Sequence, residues 1–254
     1  MAASAKSFFW YELMTTDPMA AEAFYTDVVG WASEPWTALD AGPYIIMNAG
    51  ERGVGGIMKI PEVAAGMPPA WVGYIHADDA DKATEALEKA GGTVHRPPSD
   101  IPEVGRFSVV SDPQGAIFMF LQPNGPNQPP VPATTPGHVG WHELYTTDWQ
   151  ATLDFYSSQF GWTRDESMDM GEMGIYQLFA AGGEAIGGMM NKPPQIPAPV
   201  WLFYFNVPDI EAAAERVKNG GGKVLMGPIQ VPGGSWILQC RDPQGAYFAL
   251  TALR

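Results

Sequence analysis

"WYELMTTD" at Trp10–Asp17 is written again as "WHELYTTD" at Trp141–Asp148, 131 residues later. Working outward from this pair, the likeness continues. "FYTDVVGW" at Phe24–Trp31 matches "FYSSQFGW" at Phe155–Trp162 at the same offset, and "GVGGIM" from Gly53 matches "AIGGMM" from Ala185 at 132. Trp71 matches Trp201, and "DPQGA" at Asp112–Ala116 matches "DPQGA" at Asp242–Ala246, both at 130. The register drifts by only one or two residues, so the halves share one fold. A period this long is a duplicated domain and not a solenoid unit.

Each half carries a finer rhythm. "FFWYELMTT" reads as a strand. Asp17-Pro18 then opens a helix, with Asp as N-cap and Pro at the first helical position, and Gly30 closes it. Short strands follow around "YIIMN" and "GVGGIMKI". A further strand, "WVGYIHA", leads to a helix capped by Asp78 or Asp79 and stopped by Gly91-Gly92. Strands "TVHRP", "RFSVVS" and "AIFMFL" finish the half. Asp, Pro and Gly in DPQG suit a type I turn, making it a hairpin. The order is βαβββ, twice in each half. Too few helices connect these strands for an all-parallel sheet, so the sheets are mixed. The expected fold class is α+β, with a first domain over 5–123, a Pro-rich linker over 124–136 and a second domain over 137–254.

The 254 residues are 46% hydrophobic, enough for real cores. A formal charge of −14, with only 14 lysines and arginines, argues against nucleic acid as a partner. Cys240 is the single cysteine, which excludes an internal disulfide and suits a cytoplasmic location. The opening residues do not read as a signal peptide, and no apolar run approaches a membrane span. GxSxG, P-loop and CxxC patterns are absent, and the GVGG and AIGG glycines read as close strand approach or a bulge.

The first strand ending in TTD, the helix containing AFY or DFY and closing in GW, and the late DPQG hairpin resemble the glyoxalase / bleomycin-resistance / extradiol-dioxygenase group, the vicinal oxygen chelate superfamily. The resemblance covers both halves nearly end to end. It implies two tandem domains, each of two βαβββ modules curled into a mixed-sheet cup around a small-molecule site. Many members of that group hold a divalent metal there, on a His or Gln of the opening strand and a Glu of the last strand. Carried onto this chain, the opening-strand positions are Trp10, Val72, Trp141 and Leu202, and the late positions are Met119 and Ala249. Indole, alkyl and thioether groups do not hold a hard divalent ion. The expectation is therefore no cofactor, with neither domain keeping the usual metal site.

What remains at those places is aromatic and acidic. Glu12 and Glu143 each lie two residues after a Trp and share its sheet face. They are the candidate general acids or bases; the alternative is that each merely bonds a backbone amide or an arginine. Trp10 and Trp141 either fill the cups or wall them for a flat ligand. Arg106 either clamps an anionic group of a ligand or pairs with Glu103 or Glu12. His76, on the same face as Val72, is a second candidate ligand contact. His142 faces away from Trp141 and reads as a surface or interface residue. His95 and His138 carry no signal.

Three functions fit these residues. The first is a small-molecule enzyme of the lyase or isomerase kind using Glu12 or Glu143 without a metal. The second is a non-catalytic binder of a drug or flat cofactor. The third is a metal-dependent glyoxalase or dioxygenase with displaced ligands, drawing on Glu12, Glu143 and His76. In every case the partner is a small molecule, and the chain is a pseudo-twofold monomer or a homodimer.

Overall fold

The computed structural model describes residues 6–36, 43–126 and 128–253. Ala5 and Arg254, at the outer bounds of the two expected domains, and Asn127 of the linker lie outside the described residues. The first half runs β1 (Phe8–Thr15), α1 (Pro18–Val29), β2 (Ala32–Trp36), β3 (Tyr44–Ala49), β4 (Arg52–Lys59), β5 (Ala70–His76), α2 (Ala80–Lys89), β6 (Thr93–Ile101), β7 (Gly105–Ser111) and β8 (Ile117–Pro123). The second repeats it as β9 (Val139–Thr146), α3 (Trp149–Phe160), β10 (Thr163–Asp169), β11 (Ile175–Ala180), β12 (Ala185–Asn191), β13 (Val200–Asn206), α4 (Ile210–Asn219), β14 (Lys223–Gln230), β15 (Trp236–Arg241) and β16 (Tyr247–Ala252).

The four α-helices among the described residues start the same way. Asp17, Asp79, Asp148 and Asp209 each accept a first-turn amide on the side chain, satisfying a donor that the helix leaves open. Gly30 and Gly161 end α1 and α3 with φ of 86° and 74°, the left-handed turn that frees the chain to enter the next strand. The strands form two eight-stranded sheets, ordered β2-β3-β4-β1-β5-β8-β7-β6 and β10-β11-β12-β9-β13-β16-β15-β14. The pairs β1–β4, β5–β8, β9–β12 and β13–β16 are parallel and the other registered pairs antiparallel. This is an α+β fold with mixed sheets.

The chain condenses into two compact units that interleave the halves. Among the described residues, one holds Gly73–Pro129 and His142–Trp201 with residues 6–9; the other holds Trp10–Val72, Pro130–Trp141 and residues 202–253. The repeated DPQG hairpins explain this pairing. Inside the second unit, Trp71 Nε1 donates to the Tyr25 hydroxyl (2.8 Å), which donates to Asp242 Oδ2 (3.1 Å). Inside the first, Trp201 Nε1 donates to Tyr156 (3.2 Å), which donates to Asp112 Oδ2 (3.3 Å). The other carboxylate oxygen gathers hairpin amides: Gln114 and Ala116 on Asp112, and Gln244, Gly245 and Ala246 on Asp242. Each DPQG aspartate thus ties its own turn to a helix of the other half. The repeated tag is architecture.

The GW tryptophans do the same for the segments entering the opening strands. Trp31 Nε1 donates to Gly137 O (2.7 Å) in one unit, and Trp162 Nε1 to Lys6 O (2.6 Å) in the other. Around them sit the cores. Phe205 meets the Trp31 and Trp71 rings edge-on, both at 5.0 Å, and Trp162 stacks on Tyr156 (4.7 Å) and Phe179 (4.6 Å).

One latch differs between the copies. Gln114 Oε1 accepts from the hydroxyls of Thr146 and Thr147 and the amide of Asp148, and its Nε2 donates to Thr152 Oγ1. In the other unit the equivalent atoms, Gln244 Oε1 and Thr15 Oγ1, are buried without a partner. Ala21 stands there where the second half has Thr152, so one hydroxyl of the network is missing.

Candidate functional site

The opening strand of each half places Trp and Glu on one sheet face, and the register shows what joins them. Across β2, β3, β4 and β1, one row of partners runs Glu34, Ile46, Gly56, Glu12, and the next runs Trp36, Tyr44, Met58, Met14. Directly paired residues share a face, so these side chains and Trp10 form one surface. Trp10 Nε1 donates to the Tyr44 hydroxyl (3.1 Å), and that hydroxyl is hydrogen-bonded to Glu12. The relay is therefore indole N–H to phenol to carboxylate.

The second half repeats the tyrosine-to-glutamate contact on the same strand face. Leu178, Gly188 and Glu143 lie in one row, and Met190 pairs Tyr145 in the next. Tyr176 donates to Glu143 Oε2 at 3.0 Å. Glu12 and Glu143 are each only 6% exposed, whereas Trp10 and Trp141 are half-buried. Burial, then the charge of Glu12, pushes the Tyr44 hydroxyl well above the ordinary tyrosine value, so it stays protonated and acts as a donor.

The GG pairs make room for this. A Cβ on Gly56 or Gly188 would overlap the Tyr44 or Tyr176 phenol, because each tyrosine occupies the space above its glycine. Gly55 and Gly187 serve the backbone instead: a Cβ there would press on the carbonyl oxygen of Tyr11 or His142. These glycines are sites of close approach. Trp10 likewise rests over Gly53, with ring atoms 3.3 and 3.4 Å from where a Cβ would stand.

The remaining candidates are elsewhere. Arg106 shares the β7 face of Ser108, whose hydroxyl bonds Thr84 of α2. Its guanidinium grips Asp81 of α2 through Nε (2.6 Å) and Nη2 (2.9 Å), and Asp100 through Nη1 (3.0 Å). Its partners are thus Asp81 and Asp100, neither Glu103 nor Glu12. His76 ends β5 with its ring edge-on to Phe9 (5.9 Å) and 3.7 Å from Asp78. His142, expected at a surface or domain interface, is buried against a residue of the first half, so the interface alternative holds and the surface one does not. It stacks on Phe8 (5.1 Å), and its Nδ1 lies 2.8 Å from Ile186 O. The strand face opposite Trp141 is packed, which turns this histidine into a core residue.

Burial lowers the His142 pKa from 6.5 to about 4. The folded chain therefore binds this proton later than the unfolded chain. Stability from the neutral ring is full above 6.5 and is lost as pH falls toward 4. At pH 5 the expected loss from this group is about 2 kcal/mol relative to neutral pH. Urea unfolding of wild type and His142→Phe at pH 7 and pH 5 checks it: the variant lacks this pH-dependent loss.

Sequence reasoning missed Tyr44 and Tyr176, although both occur at an offset of 132. It also missed Tyr204, whose hydroxyl accepts from Gln239 (2.7 Å) on the face that carries Ala249, and Arg96, which lies 4.6 Å over the Phe107 ring.

The positions that the resemblance marks for metal ligands are in place on their strands. Val72, Leu202, Met119 and Ala249 are buried apolar residues, and Trp10 and Trp141 present indoles. Among the described residues no group of three or more His, Cys, Asp or Glu could hold a metal ion. This donor set does not fit a hard divalent ion. No helix among the described residues is long and apolar enough to cross a membrane.

Comparison with known proteins agrees with this architecture. The model of the Glyoxalase/Bleomycin resistance protein/Dioxygenase superfamily matches residues 7–120 and 135–250. The chain is 34% identical over 247 residues to "Putative glyoxylase CFP32" of Mycobacterium tuberculosis (strain CDC 1551 / Oshkosh), covering 95% of this chain and 92% of that one. It is 30% identical over 259 residues to "Anthracycline biosynthesis protein DnrV" of Streptomyces peucetius, covering 96% and 92%. Among solved structures, the Mn(II)-bound glyoxalase from Novosphingobium aromaticivorans superposes with a TM-score of 0.67 at 18% identity, over 98% of this chain and 82% of that one. The 2,3-dioxygenase LapB from Pseudomonas sp. KL28 gives 0.70 at 14%, over 99% and 93%. At such identities the structural likeness speaks for the fold alone.

Proposed function

This chain belongs to the Glyoxalase/Bleomycin resistance protein/Dioxygenase superfamily, and from that premise we propose that it binds a small, flat organic molecule against Trp10 in the first half and Trp141 in the second. Glu12 and Glu143 act as general bases toward that molecule, in a lyase or isomerase reaction that does not use the usual metal. The observation that carries this reading is the duplicated constellation of Trp, Tyr and Glu where the superfamily's ligands would stand. A carboxylate held by a phenol beside an indole can take a proton from a carbon acid and return it to the neighbouring position. A cytoplasmic location rests on the single cysteine.

A second reading is non-catalytic binding. It is favoured by the relative named for anthracycline biosynthesis. Anthracyclines are flat polycycles, the shape that an indole face accepts by stacking.

Equilibrium dialysis of the purified chain against a small-molecule extract, read by mass spectrometry, identifies what it retains. Trp10→Leu combined with Trp141→Leu is expected to lose that retention. Glu12→Gln combined with Glu143→Gln is expected to leave retention detectable, because the indoles remain, and to slow any turnover by at least about a hundredfold. Turnover that survives the double glutamine variant sinks the general-base role and leaves the binder. Stoichiometric Zn, Ni, Mn or Fe in the purified chain would replace both readings with metal chemistry.

A further inference from the structure

The face built by β2, β3, β4 and β1 has a definite electrostatic character, and we infer that the ligand it takes is a planar aromatic cation, such as a protonated heteroaromatic amine, and not an anion. This rests on the small-molecule binding proposed above and adds the ligand's charge.

The face carries three aromatic rings, Trp10, Trp36 and Tyr44, with Trp36 edge-on to Tyr44 at 5.9 Å. It carries two carboxylates, Glu12 and Glu34, in one row, and the thioethers of Met14 and Met58 in the next. No lysine or arginine occurs in either row. An indole face attracts a cation through its quadrupole, and tryptophan does so best. The relay sharpens this. Trp10 donates a hydrogen bond to the Tyr44 hydroxyl, and that hydroxyl, still protonated, donates to Glu12, so the chain of donors polarises electron density toward the indole. The buried Glu12 carboxylate also raises the cost of bringing in a second negative charge. The second half keeps this composition, with Trp141, Glu143 and Tyr176, and Met190 paired with Tyr145. Arg106, the arginine that the sequence offers to an anion, is engaged by Asp81 and Asp100, and Arg96 lies over the Phe107 ring.

Matched probes test the charge. 9-Aminoacridine is a planar cation at neutral pH, and acridine-9-carboxylate carries a negative charge on the same tricyclic ring. Titrated into the full chain in 0.15 M salt and followed by tryptophan quenching, the cation is expected to bind at least about tenfold tighter. Glu12→Gln combined with Glu143→Gln should remove most of that preference, and Glu12→Gln alone only the part that the first half contributes. Glu34→Gln lies at an exposed position and keeps the fold, so it covers the case in which Glu12→Gln fails to fold; it should reduce the preference about two- to threefold. Equal affinity for both acridines, or tighter binding of the anion that Arg96→Gln abolishes, overturns the cation assignment while leaving the aromatic site standing. Binding of both probes that Trp10→Leu with Trp141→Leu leaves unchanged overturns the aromatic site itself, and the charge assignment with it.

Discussion

Replacing Asp242 by alanine is expected to destabilise the chain by about 3 kcal/mol, and Asp112→Ala to cost about as much, because each removal leaves several buried donors without an acceptor. Asp242 takes the Tyr25 hydroxyl on one oxygen and the amides of Gln244, Gly245 and Ala246 on the other. Tyr25 cannot compensate. Its hydroxyl already accepts from Trp71, and its proton then has no acceptor in a fully packed surrounding. Asparagine separates the two oxygens. Asp242→Asn keeps an acceptor for the hairpin amides but replaces the oxygen facing Tyr25 by a donor. It should therefore cost about 1–2 kcal/mol, less than alanine. Urea midpoints at constant slope measure the series; an alanine variant as stable as the asparagine variant would show that the hairpin amides find water instead.

The pH dependence of this clasp runs opposite to that of His142. Burial pushes the Asp112 and Asp242 carboxyls above 3.8, outweighing the amide and tyrosine hydrogen bonds that pull them down. Each carboxyl therefore takes up its proton more readily in the fold than in the unfolded chain. Its contribution is most favourable at pH below 3.8 and declines as pH rises through the window from 3.8 to the raised value, then stays flat. The clasp consequently does not drive acid unfolding, and the loss near pH 5 is assigned to His142 and not to these aspartates.

The legible and illegible parts of this chain divide along the range of the interactions. Helix starts were readable because a single Asp at each cap settles them within a turn, and the duplication let each half check the other. The DPQG turn was readable for the same reason. Its partner was not: Tyr25 and Asp242 stand 217 residues apart, and nothing local in "AFYTD" points to a hairpin of the other half. The Glu12 and Glu143 faces followed from strand alternation alone. The tyrosines that hold them did not, since Tyr44 reaches Glu12 only through the pairings of β3 with β4 and β4 with β1. Arg106 illustrates the converse. Its charge suggested a ligand clamp, but alternation along β7 puts it with Ser108 on the face of α2, where acidic Asp81 waits in the first turn.

The glycine before Ile57 provides the second strong test, because it joins fold and site in one position. Gly56→Ala inserts a methyl group where the Tyr44 ring lies, and the ring must leave. The expected cost is about 3 kcal/mol, at the upper end for overpacking a tight core site. The displaced phenol also releases Glu12 and Trp10, so ligand binding in the first half should fall together with stability. Removing the ring tests the cause. In Gly56→Ala combined with Tyr44→Ala the methyl group meets empty space, and the double variant should be no less stable than Tyr44→Ala alone, a coupling of about 2–3 kcal/mol. Gly55→Ala supplies the contrast. Its Cβ would stand 2.5 Å from the Tyr11 carbonyl oxygen, which is backbone in the parallel β1–β4 ladder and cannot swing away. Tyr44→Ala should give it no relief. Additive costs in the Gly56 pair, or equal rescue of both glycine variants, would mean that the tyrosine does not occupy the space above Gly56 in solution, and the phenol-to-carboxylate contact on which the site depends would go with it.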